Sequence, residues 1–176
     1  IKGSGDLTVK NSEFNGSNKY ALHSYTYGKI LISNNIFKNS KVALHLEYTG
    51  DPVIWNNTFY NNNYDVQARY HWNNSKVTTF YNNIFTGKLI NDYDSGAIHL
   101  HYCSIKSEDD LIKNVELIEG NIINDPEFMD PDNNLFKLSD DSELKNSGAP
   151  DATWNNEDNT RNDIGYELGC CRTYLA

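Results

Sequence analysis

The sequence predicts an all-β solenoid, and three observations support this prediction. Phe14, Phe37, Phe59 and Phe85 recur at intervals of 22–26 residues in the 176-residue chain. Around each of them lie short segments in which apolar and polar residues alternate, as they do in β-strands. The chain contains 26 asparagines, many of them between these segments, and asparagine favours turns. A repeat of this period is typical of a solenoid in which each repeat forms one coil.

Each coil is predicted to begin with a short strand. These first strands are Leu7–Lys10, Ile30–Ser33, Pro52–Trp55 and Thr78–Tyr81. The positions predicted to point inward are Val9, Ile32, Ile54 and Phe80, and those predicted to point outward are Lys10, Ser33, Trp55 and Tyr81. Exposed aromatic side chains stack on sugar rings, so Trp55 and Tyr81 are candidate substrate-binding residues. The alternative is that they pack beneath a loop.

A turn follows each first strand. The asparagines at this position are Asn11, Asn34, Asn56 and Asn82. We expect their amides to hydrogen-bond from coil to coil and to satisfy the turn backbone. The four phenylalanines that follow are expected to stack inside the solenoid. The segment 119–123 is a fifth, weaker copy, with Ile123 in the phenylalanine position.

A second strand in each coil carries the most informative polar residues. These strands are predicted at Tyr20–Tyr25, Val42–Glu47, Tyr64–Arg69 and Gly96–His101. One outward row contains His23, His45, Gln67 and His99, and the next contains Tyr25, Glu47, Arg69 and His101. Alternation of side chains along a strand places both rows on one face. The sequence therefore predicts a polar, hydrogen-bonding stripe across several coils.

Two connections are longer than their counterparts, at residues 86–95 and 102–114. The second contains Ser107 followed by acidic residues, which is typical of a helix start. Long loops beside a flat face are suited to form the wall of a cleft. The repeat stops at Asp125, and we expect residues 125–176 to cap the coils formed by residues 1–124, because a solenoid needs a terminal cap.

Composition excludes some functions and leaves others open. The net charge of −9 argues against nucleic acid as a general partner. No apolar segment is long enough to span a bilayer. The chain begins at Ile1 within or just before a strand, which indicates a piece of something longer. A disulfide between Cys103 and Cys170 or Cys171 is one option, and three free thiols are another.

The repeats resemble those of right-handed parallel β-helices of the pectate-lyase-like superfamily. The tail is similar to the closing segment of many secreted bacterial β-helix proteins. It contains DPEF from Asp125, LSDDS from Leu138 and NDIGYE from Asn162, and it lacks the alanine usual between Gly165 and Tyr166. The resemblance implies a right-handed parallel β-helix, a bacterial source, and secretion or display at the cell surface. The superfamily includes lyases, hydrolases, epimerases and non-catalytic surface proteins, so the fold alone does not define the activity.

In enzymes of this superfamily the sugar groove usually runs along the outer face of one parallel sheet. If that face is the one described above, the residues fit a lyase acting on an acidic polysaccharide. Such an enzyme removes the proton next to a uronate carboxylate, which requires a base and a nearby cation. Arg69 is the candidate cation, positioned by Glu47. The candidate bases are His45, His99 and His101, the candidate proton donors are Tyr48 and Tyr70, and Gln67 and Tyr25 are candidate binding residues. The alternative for Glu47 and Arg69 is a surface ion pair.

A metal centre is less well supported by the sequence. His23, His45 and His99 share a row, but Gln67 interrupts it and no acidic residue shares it, so we assign no metal ligand. Calcium is a possible cofactor at Asp92 and Asp94, or at Asp130, Asp132 and Asn134. Ordinary turns that use aspartate and asparagine are the alternative for both clusters.

Two other functions remain open. A glycoside hydrolase needs two carboxylates that flank the bond, and Glu47 with Asp65 is the pair that the sequence offers on this face. The other function is a non-catalytic surface or adhesive module, in which the solenoid is a rigid rod whose polar face binds glycan or nothing.

Overall fold

The computed structural model describes residues 2–3, 5–47, 52–69, 77–92, 96–151, 155–156 and 159–166. Several predicted residues lie outside this part of the chain. They are the candidate proton donors Tyr48 and Tyr70, the candidate calcium ligand Asp94, and the cysteines Cys170 and Cys171.

The described residues form three parallel sheets of six strands each and one antiparallel hairpin. Sheet A contains Lys2–Gly3, Tyr20–Thr26, Val42–Glu47, Tyr64–Arg69, Lys88–Asn91 and Leu111–Lys113. Sheet B contains Leu7–Lys10, Ile30–Ser33, Val53–Trp55, Val77–Tyr81, Ala97–His101 and Val115–Glu119. Sheet C contains Glu13–Asn15, Ile36–Lys38, Thr58–Tyr60, Ile84–Phe85, Ser104–Ile105 and Ile122–Ile123. The hairpin pairs Phe128–Asp130 with Leu135–Leu138, and the two 3₁₀ helices are Glu108–Asp110 and Pro131–Asn133.

The chain passes from sheet B to sheet C to sheet A in each coil and then starts the next coil. Every strand therefore pairs in parallel with the equivalent strand one coil away, as in the pairing of Val9 with Ile32 and of Ile32 with Ile54. This winding gives about five coils. It confirms the prediction of an all-β parallel β-helix.

The predicted position of the strand Gly96–His101 was wrong. The structure places Ala97–His101 in sheet B, where His99 pairs with Thr79 and His101 with Tyr81. Sheet A of the fourth coil is formed instead by Lys88–Asn91, within a segment that was predicted to be a loop. The physical reason is the alternation Leu89–Asn91, in which the buried side chains of Leu89 and Asn91 extend the inward rows of the preceding coils.

The interior is filled by rows of apolar side chains that run from coil to coil. Phe14, Phe37, Phe59 and Phe85 stack with ring centroids 4.7–5.0 Å apart. Ile105 continues this row in the fifth coil, since it pairs with Phe85 on one side and Ile123 on the other. Ile123 is therefore in the predicted phenylalanine row, but as its sixth member and not its fifth, and it is exposed. Close packing of such rows makes each coil depend on its neighbours.

An amide contact between coils is present at the predicted position, where the side chain of Asn34 donates to that of Asn11 at 2.7 Å. A second, buried amide ladder runs along the corner between sheets B and C one residue later. Asn11, Asn34, Asn56 and Asn82 adopt the left-handed conformation, with φ of 50–56°. The following side chains turn inward, and the amide oxygens of Asn57 and Asn83 each accept the backbone N–H of the residue one coil earlier at 2.9 Å. The ladder satisfies turn backbone that would otherwise be buried without partners.

The segment that follows the coils lies against their side. Phe128 and Phe136 pack on Tyr60 of sheet C, and Leu138, Leu144 and Ile164 pack on Ile84. Further along, the N–H of Tyr166 donates to the Thr58 hydroxyl at 2.9 Å. The described contacts of residues 126–166 therefore cover the outer face of sheet C, which is apolar at Ile36 and Ile84.

Candidate functional site

A cluster of polar side chains lies on the outer face of sheet A, and we call it the sheet A cluster. Its members are His23, His45, Glu47, Gln67, Arg69 and Asp92. The register explains the cluster, because His23 pairs with His45, His45 with Gln67, and Glu47 with Arg69 on successive coils. Strands in a sheet lie roughly 4.8 Å apart, so the equivalent side chains of neighbouring coils are within reach of one another.

Glu47 is the centre of the cluster and contacts both histidines. Its Oε2 lies 3.0 Å from Nε2 of His23, and its Oε1 lies 3.4 Å from Nε2 of His45. Partial burial alone would raise the pKa of Glu47, but the hydrogen bonds from both histidines, with their charges, lower it below its ordinary value. Glu47 is therefore an anion at neutral pH, with one imidazole at each oxygen.

His45 is enclosed by its neighbours, and only 1% of its side chain is exposed. The ring of Tyr20 stacks on it at a centroid distance of 4.2 Å, and the ring of His23 meets it edge-on at 4.8 Å. Burial is the main cause that lowers the pKa of His45, and the charges of His23 and Arg69 lower it further. The hydrogen bond with Glu47 and the charge of Glu47 raise this pKa but do not cancel the shift. His45 is thus neutral at pH 7, and its Nδ1 is buried without a hydrogen-bond partner.

Arg69 lies between two carboxylates. One guanidinium nitrogen is 3.4 Å from Oδ2 of Asp92, and the other is 3.9 Å from Oε1 of Glu47. The side-chain amide of Gln67 also donates to Oδ2 of Asp92, at 2.7 Å. The Arg69 side chain is 39% exposed. Arg69 therefore lies between two carboxylates, and its side chain is partly exposed although its Nε is buried.

The sheet A cluster does not contain His99 and His101, contrary to the prediction. Both lie on sheet B, where His99 contacts Glu116 at 3.4 Å and His101 contacts Glu119 at 3.2 Å. The strand Lys88–Asn91 occupies the place in sheet A that they were expected to fill. They therefore cannot share a face with Arg69.

The predicted aromatic platform also differs from the structure. Trp55 is only 7% exposed, so its ring cannot lie flat against a sugar from solvent. Tyr81 is half-buried on sheet B, where its ring stacks on that of His101 at 4.7 Å. Tyr25 lies on sheet A beside Glu47, in the predicted register, and its ring meets that of Tyr27 edge-on. Of these aromatic residues, Tyr25 is the one that borders the sheet A cluster.

Sequence reasoning missed two members of the cluster. His23 was not assigned a role because no acidic residue shares its row, yet Glu47 reaches it diagonally from the next row of the neighbouring coil. This signal was available, because diagonal neighbours in a sheet are within reach of long side chains. Asp92 was assigned to a loop because the strand that precedes it, Lys88–Asn91, was not predicted.

The carboxylates proposed for hydrolysis or calcium are arranged differently. Asp65 is fully buried and accepts hydrogen bonds from Asn62 and from the N–H of Gly87, so it cannot pair with Glu47 across a substrate bond. Asn134 adopts the left-handed conformation, and its side-chain oxygen accepts from Lys38, which places a cation where calcium was considered. Cys103 is a free, buried thiol, and burial raises its pKa to about 12.

By its fold and the sheet A cluster, the protein is a parallel β-helix protein that carries histidine, carboxylate and arginine side chains together on the outer face of one sheet. The chain matches the family described as the right handed beta helix region over residues 1–134. It therefore belongs to that family. Comparison with curated proteins and with solved structures gave no match. Neither of the short helices in the described residues is long and apolar enough to cross a membrane.

Proposed function

We propose that this β-helix protein is carbohydrate-active and acts on an acidic polysaccharide, outside the cell or at its surface. The observation that carries the proposal is the position of Arg69. Its guanidinium lies between the carboxylates of Glu47 and Asp92, within a row of polar side chains that crosses successive coils, and its side chain is partly exposed. A guanidinium in such a position suits the planar carboxylate of a uronate sugar, which it binds through two hydrogen bonds.

The reaction that these residues favour is β-elimination. A base removes the proton on the carbon next to the uronate carboxylate. The electron pair forms a carbon–carbon double bond, the glycosidic carbon–oxygen bond breaks, and the departing oxygen takes up a proton. Negative charge develops on the carboxylate during the first step, and Arg69 is placed to stabilise it.

Among the described residues of the sheet A cluster, His23 replaces His45 as the base. His45 is too deeply buried to reach a substrate, whereas the side chain of His23 is 37% exposed. His23 contacts Glu47, which can stabilise the imidazolium that forms when His23 accepts the proton. Gln67 and Tyr25 border the same surface and are proposed to bind sugar hydroxyls.

A lyase assay tests this proposal. The protein is incubated with a panel of uronate-containing polysaccharides, in one series with a chelator and in another with added Ca²⁺. The unsaturated sugar end formed by elimination is followed by its ultraviolet absorbance. We expect Arg69→Ala to lower the rate by at least about 100-fold, because it removes a charge that acts in the transition state.

Lys88→Ala is the matched control for Arg69→Ala. Lys88 is an exposed cation at the start of a strand of the same sheet, outside the sheet A cluster. Its loss removes the same charge from the molecule without removing the guanidinium at the site. Equal loss of rate in both variants would reject a specific role for Arg69, and no absorbance change on any polymer in either series would reject the lyase activity.

A second candidate, a non-catalytic surface module, is favoured by a different observation. Glu47 and Asp92 already engage Arg69, and the two histidines engage Glu47, so the cluster also serves to hold neighbouring coils together. A module of this kind would not cleave polysaccharide, whether or not it binds it. Equilibrium binding of the same polymers, measured with the same two variants, separates binding alone from cleavage.

A further inference from the structure

Two imidazoles and one carboxylate of the sheet A cluster point at one another. One ligand atom from each of His23, His45 and Glu47 lies within 4.8 Å of the other two. Oε2 of Glu47 is 3.0 Å from His23, and its other oxygen, Oε1, is 3.4 Å from His45. In a tetrahedral zinc site with bonds of 2.0–2.1 Å, neighbouring ligand atoms are about 3.3 Å apart. The three side chains are thus already near the separation that a transition metal ion requires.

We infer that His23, His45 and Glu47 form a binding site for a divalent transition metal ion such as Zn²⁺. The ligands are suited to this class of ion, because imidazole nitrogen favours zinc and its neighbours over calcium and magnesium. Three protein ligands leave at least one position open. Since the side chain of His23 is partly exposed, solvent can reach the site, as in metal sites that bind a water molecule or a substrate.

The surroundings of the three side chains support this inference. The stacked ring of Tyr20 and the burial of His45 fix one imidazole, which lowers the cost of ordering it on metal binding. In the metal-free protein Nε2 of His45 donates to the Glu47 carboxylate, so a metal ion bound at Nε2 would leave the proton on Nδ1, which has no hydrogen-bond partner among the described residues.

Two other charged side chains near the three ligands have opposite effects on the binding of a cation. The guanidinium of Arg69, 3.9 Å from Oε1 of Glu47, opposes a bound cation, while Asp92 partly neutralises that guanidinium. A bound ion would occupy Nε2 of His23, so metal binding and proton removal by His23 exclude each other. The metal site is therefore an alternative use of His23 to the proposed elimination and has to be tested without reference to activity.

Calorimetric titration of the chelator-treated full chain with ZnCl₂, without an affinity tag that contains histidine, tests the inference. We expect one Zn²⁺ per chain. We expect the dissociation constant for Zn²⁺ to be at least tenfold larger in His23→Ala and in Glu47→Gln. Both substitutions change partly exposed side chains and leave the buried His45 in place. Thermal unfolding should show a Zn²⁺-dependent rise in the melting temperature of the unaltered protein that His23→Ala reduces.

The chain offers a matched control. His99 also contacts a carboxylate, that of Glu116, at 3.4 Å, and it does not belong to the group of three close ligands formed by His23, His45 and Glu47. His99→Ala should bind Zn²⁺ as the unaltered protein does. Absence of saturable one-to-one binding, or equal weakening in His99→Ala and His23→Ala, would overturn the inference.

Arg69→Ala distinguishes the metal site from the proposed function. It is expected to slow elimination strongly, as proposed above, yet to bind Zn²⁺ at least as tightly as the unaltered protein, because it removes a positive charge beside the ligands. Loss of Zn²⁺ binding in Arg69→Ala would contradict the assigned ligand set. Failure of the elimination assay alone would leave the metal site supported by the titration.

Discussion

At the scale of single residues, burial affects two carboxylates on the same sheet in different ways. Glu47 is partly exposed, and its hydrogen bonds with two histidines keep it charged. Asp65 is completely buried, and burial raises its pKa to about 7, with the charge of Asp110 acting in the same direction. The hydrogen bonds from Asn62, Gly87 and Thr86 oppose this shift but do not cancel it.

The raised pKa of Asp65 predicts a specific pH dependence of stability. Between about pH 4 and pH 7 the folded protein retains a proton on Asp65 that the unfolded chain has lost, so the free energy of unfolding should fall as pH rises through this window. The shift of about 3 units corresponds to a total of roughly 4 kcal/mol. Asp65→Asn removes this dependence, but its NH2 group must face one of two donors that the carboxyl oxygens accept from, the side chain of Asn62 or the N–H of Gly87. We therefore expect the variant to be less stable than the unaltered protein at pH 4.5, with a difference that narrows towards pH 8.

Urea unfolding at several pH values measures this difference. Asp140→Asn is a suitable control, because Asp140 is exposed, pairs with Lys145, and has a pKa below its ordinary value. The difference in stability between Asp140→Asn and the unaltered protein should not narrow from pH 4.5 to pH 8 as that of Asp65→Asn is expected to do. A constant difference between Asp65→Asn and the unaltered protein from pH 4.5 to pH 8 would show that Asp65 does not change its charge in this range.

At the scale of elements, the amide ladder between sheets B and C contains one irregular position. Cys103 stands where the preceding coils have Asn57 and Asn83, and the contacts that its sulfur makes with the N–H of Asn83 and the carbonyl of Phe80 are both 3.5 Å. An asparagine there would replace these weak contacts with amide hydrogen bonds. We expect Cys103→Asn to stabilise the protein by about 1 kcal/mol, measured by urea unfolding.

The reverse substitution, Asn57→Cys, tests whether the amide ladder is the cause of the expected difference in stability. Asn57 makes hydrogen bonds with the carbonyl of Ile32, the N–H of Asn35 and the side chain of Asn83. Asn57→Cys should cost about 3 kcal/mol, because it leaves several buried groups without good partners. A loss of stability in Cys103→Asn would mean that the fifth coil does not accommodate the ladder geometry of the earlier coils.

The sequence predicted most of the elements because the coils repeat. The first strands and the phenylalanine row follow directly from the period, and the structure has them within a residue or two. The fourth coil was misassigned because Lys88–Asn91 is short and Ile105 replaces phenylalanine. The interval from Phe85 to the next residue of this row is shorter, and that residue, Ile105 in the fifth coil, is not a phenylalanine. The repeat therefore does not locate the strand Lys88–Asn91 between them, and the alternation of four residues is a weak signal by itself.

Part of the candidate site could be predicted in the same way. The row that joins His45 to Gln67 and Glu47 to Arg69 depends on register alone, and the register of the central coils was correct. The depth of His45 could not be predicted, because it depends on the ring of Tyr20 from the preceding coil. The same holds for Trp55, since alternation gives the face of a side chain but not what covers that face.

At the scale of the whole molecule, the segment after the coils connects coils that would otherwise contact only their neighbours. It contacts Lys38 in the second coil, Tyr60 in the third and Ile84 in the fourth. In a solenoid, stability is the sum of coil and nearest-neighbour terms, so the coils can open separately. A segment that packs along several coils couples them, and we expect these coils to open together.

This coupling predicts how hydrogen exchange responds when the segment is loosened. Ile164 is buried against Ile84, and Ile164→Asp places a charge in that apolar contact. We expect faster amide exchange in the sheet C strands Ile36–Lys38, Thr58–Tyr60 and Ile84–Phe85, with little change in Leu7–Lys10 of the first coil. Leu135→Asp is the matched control, because Leu135 lies in the same segment but is already exposed. If Ile164→Asp raises exchange in every coil alike, the segment stabilises the whole solenoid as one unit; if it raises none, the segment does not couple the coils.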